Sequence, residues 1–205
     1  EIQFGSVERP THKNTSWDAA KFEVCGHKYM DLSDYGYGVS LLNDCKYGHN
    51  VDNGTMKLSL FKCATHPDPE ADKGEHIFTY SLLPHAGNYR SAGTVQTAYE
   101  LNNPMKAFPI EKQDGNLPEE YSFVSCDKDN FIVETVKKAE DSDDIVVRGY
   151  ESYNEKTKVT LSFGFEIKKA TLCDLLENDV EDIEIKDNSV SFVAKPFEII
   201  TIKVN

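Results

Sequence analysis

The sequence predicts an all-β fold, and three features carry that reading. Apolar residues recur with period two, the runs are rich in β-branched and aromatic residues, and Gly, Asn, Asp and Pro fill the gaps between them. In the first part the expected strands run over Lys21 to Tyr29, Gly38 to Leu42, Met56 to Phe61 and His76 to Leu83. From Met56 onward, Met56, Leu58 and Leu60 share one face while Lys57 and Ser59 share the other, so one side is buried and one wet. The preceding Asp52-Asn53-Gly54-Thr55 spells a tight turn, because Asn and Gly both tolerate positive φ. One helix is predicted over Thr94 to Leu101, where Val95, Ala98, Tyr99 and Leu101 form a stripe and Asn102-Asn103-Pro104 ends it.

Met105 to Glu120 has no period and carries Pro109, Asp114-Gly115-Asn116 and Pro118, so it reads as a connector. Beyond it seven short strands are expected: Phe123 to Cys126, Phe131 to Lys137, Asp144 to Tyr153, Lys158 to Phe165, Ala170 to Leu176, Ser189 to Ala194 and Phe197 to Val204. Strands separated by turns every 8 to 12 residues or so predict an antiparallel sandwich of about 85 residues. The domains are therefore expected to be 1–118 and 119–205.

The 205 residues include 39% hydrophobic and 11% aromatic side chains, enough for a packed core. A net charge of −13 argues against nucleic acid or an anionic membrane as partner. There are 11 basic and 15 acidic residues before Pro118 and 11 and 20 after it, so the second part carries most of the acidity as a solvated surface. Cys25, Cys45, Cys63, Cys126 and Cys173 are odd in number and contain no CxxC pair, which fits reduced thiols in a cytoplasm. No apolar run is long enough to span a membrane and nothing resembles a signal peptide. The chain opens on Glu1 and reads as a piece of something longer. Sequons at Asn14 and Asn53 would matter only in a secreted protein.

Between Tyr35 and Gly87 polar, loop-forming motifs separate the strands, among them Asn43-Asp44, Lys46-Tyr47-Gly48-His49 and Pro84-His85. Packing alone does not require them, so they mark loops with another purpose. All six histidines precede residue 86, which favours a site in the first part. His66-Pro67-Asp68 has the spacing of two metal ligands but no companion pair, and Pro67 to Asp72 lacks the glycine of a calcium loop, so no metal is expected in this chain. Asp44, and Glu75 beside His76, are the carboxylates in polar loops, where turn formation is the commoner role. No nucleophile elbow, GxGxxG or phosphate loop is present. The acidic run Glu140 to Asp144 reads as a solvated hairpin connection, and Trp17 as an indole packed against the core at the start of a strand.

The runs Thr15 to Cys25, Gly36-Tyr37-Gly38-Val39, Leu41 to Gly48, Pro67-Asp68-Pro69, Phe78-Thr79-Tyr80 and Pro84-His85-Ala86-Gly87 resemble the C-terminal region of α-mannosidases of glycoside hydrolase family 38, most of all its cytosolic and bacterial branch. The resemblance continues in Glu134 to Glu140, Cys173 to Glu177 and Lys195 to Ile199. It implies that residues 1–118 end a β-supersandwich of the galactose-mutarotase-like kind and that residues 119–205 form the terminal sandwich. It also implies a preceding catalytic domain that supplies the nucleophile, the acid/base carboxylate and zinc or another divalent metal for retaining hydrolysis of α-mannosides. This chain then carries no catalytic residue and no metal. Its partners are that N-terminal domain and the α-mannoside, and Asn43, Asp44, Lys46, Tyr47 and Lys62 are expected to face one or the other. At Lys62 the resemblance leads one to expect arginine in many relatives, and lysine there offers a point charge rather than a fork.

Two other readings remain open on the sequence. One is an autonomous carbohydrate-binding module. The other is a sugar-processing enzyme with its own acid/base pair among His49, His85, Asp44 and Glu75.

Overall fold

Antiparallel sheets account for both units of the structure, a computed structural model that describes residues 1–116 and 118–205. Leu117, inside the expected connector, lies outside the described residues. The first unit is Glu1–Lys106 and the second Ala107–Asn205.

In the first unit the elements are α1 (Ser16–Ala20), β1 (Val24–Cys25), β2 (Tyr29–Ser33), β3 (Tyr37–Asn43), β4 (Gly48–Asp52), β5 (Thr55–Ser59), β6 (Tyr80–Ala86) and α2 (Thr94–Asn102). They build two three-stranded sheets, β1-β4-β5 and β2-β3-β6. The β4–β5 hairpin turns at Asn53 and Gly54 with φ of 49° and 72°, the pair of positive values that the Asn-Gly signal requires. Between β2 and β3 the Asp34 carboxylate accepts from the amides of Gly36 and Tyr37 at 2.7 and 2.8 Å, closing the loop.

Helix α2 covers one face of β2-β3-β6. Val95 and Ala98 are buried beneath it, the valine contributing about 2 kcal/mol by leaving water. On that face Asp31 Oδ1 accepts from Ser40 Oγ at 2.7 Å and lies 2.7 Å from His85 Nε2, while Ser40 Oγ meets Thr94 Oγ1 at 2.8 Å. The network ties all three strands to the helix. The opposite face carries Tyr37, Val39, Leu41, Tyr80, Leu82 and Pro84 in register, and Leu82 there is 62% exposed.

In the second unit the strands are β7 (Val124–Cys126), β8 (Phe131–Lys138), β9 (Ile145–Glu151), β10 (Thr157–Phe163), β11 (Ala170–Cys173), β12 (Asp179–Asp182), β13 (Ile185–Lys186), β14 (Ser189–Ala194) and β15 (Ile199–Val204). A four-stranded sheet, β13-β14-β10-β7, packs on a five-stranded one, β12-β11-β15-β9-β8. Alternate residues of facing strands fill the core: Val159, Leu161 and Phe163 from β10 meet Val147, Ile200 and Ile202 from β9 and β15. The run Glu140 to Asp144 connects β8 to β9 as expected, and Lys138 pairs with Asp143 beside it at 2.5 Å.

Trp17 overturns its expectation. It is 79% exposed on α1, which has no buried residue. A capping box forms this helix: Thr15 Oγ1 accepts from the Asp18 amide and Asp18 Oδ2 from the Thr15 amide, both at 3.1 Å. Local polar bonding therefore fixes a single turn with no apolar surface under the indole. Of the run Lys21 to Tyr29 only Val24–Cys25 forms a strand before Tyr29 opens β2. The strand expected from His76 begins instead at Tyr80 and runs through Pro84, which an edge strand tolerates.

Candidate functional site

The loop from β3 to β4 gathers four of the five residues singled out in the sequence. Asn43 is fully buried, and its amide is spent on the loop itself. Nδ2 donates to the His27 carbonyl at 2.8 Å, and Oδ1 accepts from the Lys46 amide at 2.6 Å. Asp44 bridges to the segment before β6, its amide donating to the Thr79 carbonyl at 3.1 Å and its Oδ2 accepting from the Thr79 amide at 3.0 Å. The Cys45 thiol beside it, and then the Thr79 amide, hold the Asp44 carboxyl below the usual carboxylate range. These two residues shape the loop. Two others are presented by it: Lys46 places Nζ 5.2 Å from the centre of the Phe78 ring, and Tyr47 is 52% exposed with its ring edge-on to His27.

Lys62 lies beyond β5 and joins the loop through Glu23. Its Nζ meets Glu23 Oε2 at 2.8 Å, and this contact holds the Glu23 carboxyl below its usual range. Glu23 stands against Gly48, where an added Cβ would collide with Oε1. Sequence reasoning missed Glu23, since nothing local links residues 39 positions apart. The loop thus presents an aromatic ring and an ammonium group, and Lys62 adds a second ammonium held by Glu23, which stands against Gly48. This set can hydrogen-bond hydroxyl groups and stack on an apolar sugar face, but it holds no facing pair of carboxylates.

The acid/base set of the enzyme reading is not assembled. His49 is buried, with Nδ1 3.3 Å from the Tyr47 carbonyl, and burial pushes its imidazole below the ordinary range. His85 is committed to Asp31, Asp44 to Thr79, and Glu75 is exposed with no bond to the other three. The zinc that the resemblance implies belongs to the preceding catalytic domain, and the metal-like His66-Pro67-Asp68 of this chain is engaged in its own turn. Asp68 Oδ1 accepts from the Glu70 amide at 2.9 Å, and among the described residues no three His, Cys, Asp or Glu side chains converge to hold a metal.

Comparison with known proteins accounts for both ends of the chain. Residues 1–70 match the glycosyl hydrolases family 38 C-terminal domain, and residues 130–202 match the glycosyl hydrolases family 38 C-terminal beta sandwich domain. The chain belongs to glycosyl hydrolase family 38. Within that family it is similar to alpha-mannosidase 2C1 of Homo sapiens, 41% identical over 207 residues that make up 98% of this chain and 20% of that protein. Alpha-mannosidase G of Dictyostelium discoideum is 43% identical over 99% of this chain and 19% of its own length. The chain thus spans about a fifth of the length of the curated relatives it matches. The crystal structure of an alpha-mannosidase from Enterococcus faecalis V583 has the same fold, with a TM-score of 0.81 and 22% identity, over 98% of this family 38 chain and 23% of that one. Among the described residues no helix is long and apolar enough to cross a membrane.

Proposed function

We propose that this chain is the non-catalytic C-terminal part of an α-mannosidase, in which it supports the catalytic domain and contributes rim contacts to the sugar pocket. The observation that carries the reading is the match to two C-terminal family domains in a chain one-fifth as long as its α-mannosidase relatives. The open apolar face of β2-β3-β6 adds support, because a surface bearing Tyr37, Tyr80 and Leu82 in one register suits burial against further polypeptide. On this reading residues 1–118 end the supersandwich, residues 119–205 are the terminal sandwich, and zinc or another divalent metal is held elsewhere in the longer protein. Tyr47, Lys46 and Lys62 then meet the mannoside or the catalytic domain, and Asn43 and Asp44 hold the loop that presents them. Five free thiols suit a reducing cytoplasm as the working compartment.

The test is hydrolysis of an aryl α-mannoside by the full-length protein and by the 205 residues alone. The full-length protein is expected to turn over with retention of configuration and to lose activity on metal removal, while the 205 residues do nothing. Turnover by the 205 residues, or none by the metal-loaded full-length protein, overturns the reading.

A further inference from the structure

A cleft of about 640 Å³ in the first unit has the makings of a slot for a β-strand. One wall is the outer edge of β2, which no strand pairs among the described residues. Lys28 turns its carbonyl to the Asn43 amide at 2.9 Å, so by alternation Tyr29, Asp31 and Ser33 aim their backbone groups away from β3 and along the cleft. The other wall is the irregular segment Ser6 to Lys13, pinned by Ser6 Oγ to the Tyr89 hydroxyl at 3.1 Å and by Arg9 Nη2 donating to the Cys25 carbonyl at 3.0 Å.

Between the walls the start of the chain bonds to the backbone that leads into β2. The Glu1 nitrogen donates to the Tyr29 carbonyl at 2.9 Å, and the Glu1 carbonyl accepts from the His27 amide at 3.2 Å. The later residue faces the nitrogen side of Glu1 and the earlier one its carbonyl side, which is the antiparallel sense. Ile2 and Gly5 then exchange both backbone bonds at 3.0 and 3.2 Å around Phe4 at φ 54°, a tight hairpin turn that leads into the far wall. Extended backward from Glu1, the backbone passes Asp31 and Ser33.

We propose that the polypeptide immediately preceding Glu1 in the longer protein is a β-strand that fills this cleft, pairing antiparallel with β2 and forming the first arm of the Ile2–Gly5 hairpin. This rests on the reading of the chain as one end of a longer protein. The strand converts β2-β3-β6 into a four-stranded sheet and gives Ser6 to Lys13 a partner. It also shields the carboxylate network under α2, since Asp31 belongs to the edge it covers.

Amide hydrogen exchange tests it in three proteins: the 205 residues, a chain extended upstream by about a dozen residues, and the full-length protein. The Asp31 and Ser33 amides are expected to exchange rapidly in the first and on the order of 100-fold more slowly in both longer proteins. A full-length protein that hydrolyses mannosides with these two amides unprotected sinks the strand and leaves the functional reading intact. Protection in the full-length protein but not in the extended chain assigns the cleft to another segment and overturns the proposal equally. Ser33→Pro removes the edge donor together with the Oγ that donates to Asp31 Oδ2 at 2.6 Å, so it is compared with Ser33→Ala, which removes the Oγ alone. The proline is expected to lower the melting temperature further than the alanine in the two longer proteins and no further in the 205 residues.

Discussion

Asn130 donates its side-chain amide to Glu151 Oε1 at 3.0 Å, in a part of the sandwich where the glutamate has no exposed surface. Three backbone amides complete the shell of this carboxylate, from Tyr153 at 2.7 Å, Glu155 at 3.1 Å and Phe197 at 3.1 Å. One side chain thus ends β9, closes the turn that follows and pins the approach to β15. Glu151→Ala takes this acceptor from the buried Asn130 amide and from three part-buried backbone amides, and is expected to cost about 3 kcal/mol, since a buried group left unpaired costs about 1 to 3 kcal/mol and water relieves the part-buried ones. Urea denaturation of the two proteins measures the difference, and a loss under about 1 kcal/mol contradicts the clamp.

Gly149 lies on β9 under the Phe131 ring. A Cβ there would come within 2.5 Å of both the Ile132 carbonyl oxygen and Phe131 Cε1. Backbone cannot yield as a flexible side chain does, so Gly149→Ala is expected to destabilise the second unit by about 3 kcal/mol. Gly115→Ala, where nothing stands within 4 Å, is the matched control and is expected to change little.

The second unit was the more legible in sequence, because strands such as β10 bury one side chain in two and so print the period on the chain. Lys158 to Phe165 and Ser189 to Ala194 correspond closely to β10 and β14. Four strands escaped, β2, β4, β12 and β13, and two of them show why: β12 is Asp-Val-Glu-Asp with every residue exposed, and β2 carries Asp31 inward to a histidine 54 positions away. At the candidate site the loop was visible as a loop, but the division of labour within it was not. Asn43 and Tyr47 read alike as polar loop residues, yet one is consumed by its own turn and the other faces solvent.

The Asp31 and His85 pair is expected to report on Gly38. Any side chain at Gly38 would crowd the His85 ring, meeting Nε2 at 2.9 Å, the atom that faces Asp31. Gly38→Ala and His85→Ala are both expected to destabilise the first unit by about 2 kcal/mol. The double variant is expected to cost clearly less than their sum, since both break one contact. Additive losses in a double-mutant cycle rule out this coupling.

His49 gives the first unit a pH dependence with a definite sign. Burial lowers its folded-state pKa beneath the ordinary histidine value of about 6.5, so the unfolded chain binds the proton first as the solution is acidified. Its contribution is complete above about pH 6.5 and is lost as pH falls below that value toward the folded-state pKa. Denaturation at pH 7.5 and pH 5 is expected to show a stability loss that His49→Gln reduces. An equal loss in the variant would assign the slope to other groups.

Tyr47 and Lys62 carry the rim contacts proposed for the sugar pocket, and each can be removed without touching the core. Tyr47 is half exposed, and Lys62 Nζ is held by Glu23 with 70% of its side chain in solvent. In the full-length protein Tyr47→Ala and Lys62→Met are expected to raise KM for an aryl α-mannoside by about three- to tenfold, the loss of one contact worth roughly 1 kcal/mol, with kcat within twofold. Glu23→Gln removes the ion pair that steers Lys62 and is expected to give a smaller rise of the same kind, because an exposed pair contributes little beyond orientation. The pattern across the three separates contact from support. A fall in kcat at constant KM would mean that this loop acts through the catalytic domain's geometry, and an unchanged KM in all three would remove the loop from the pocket.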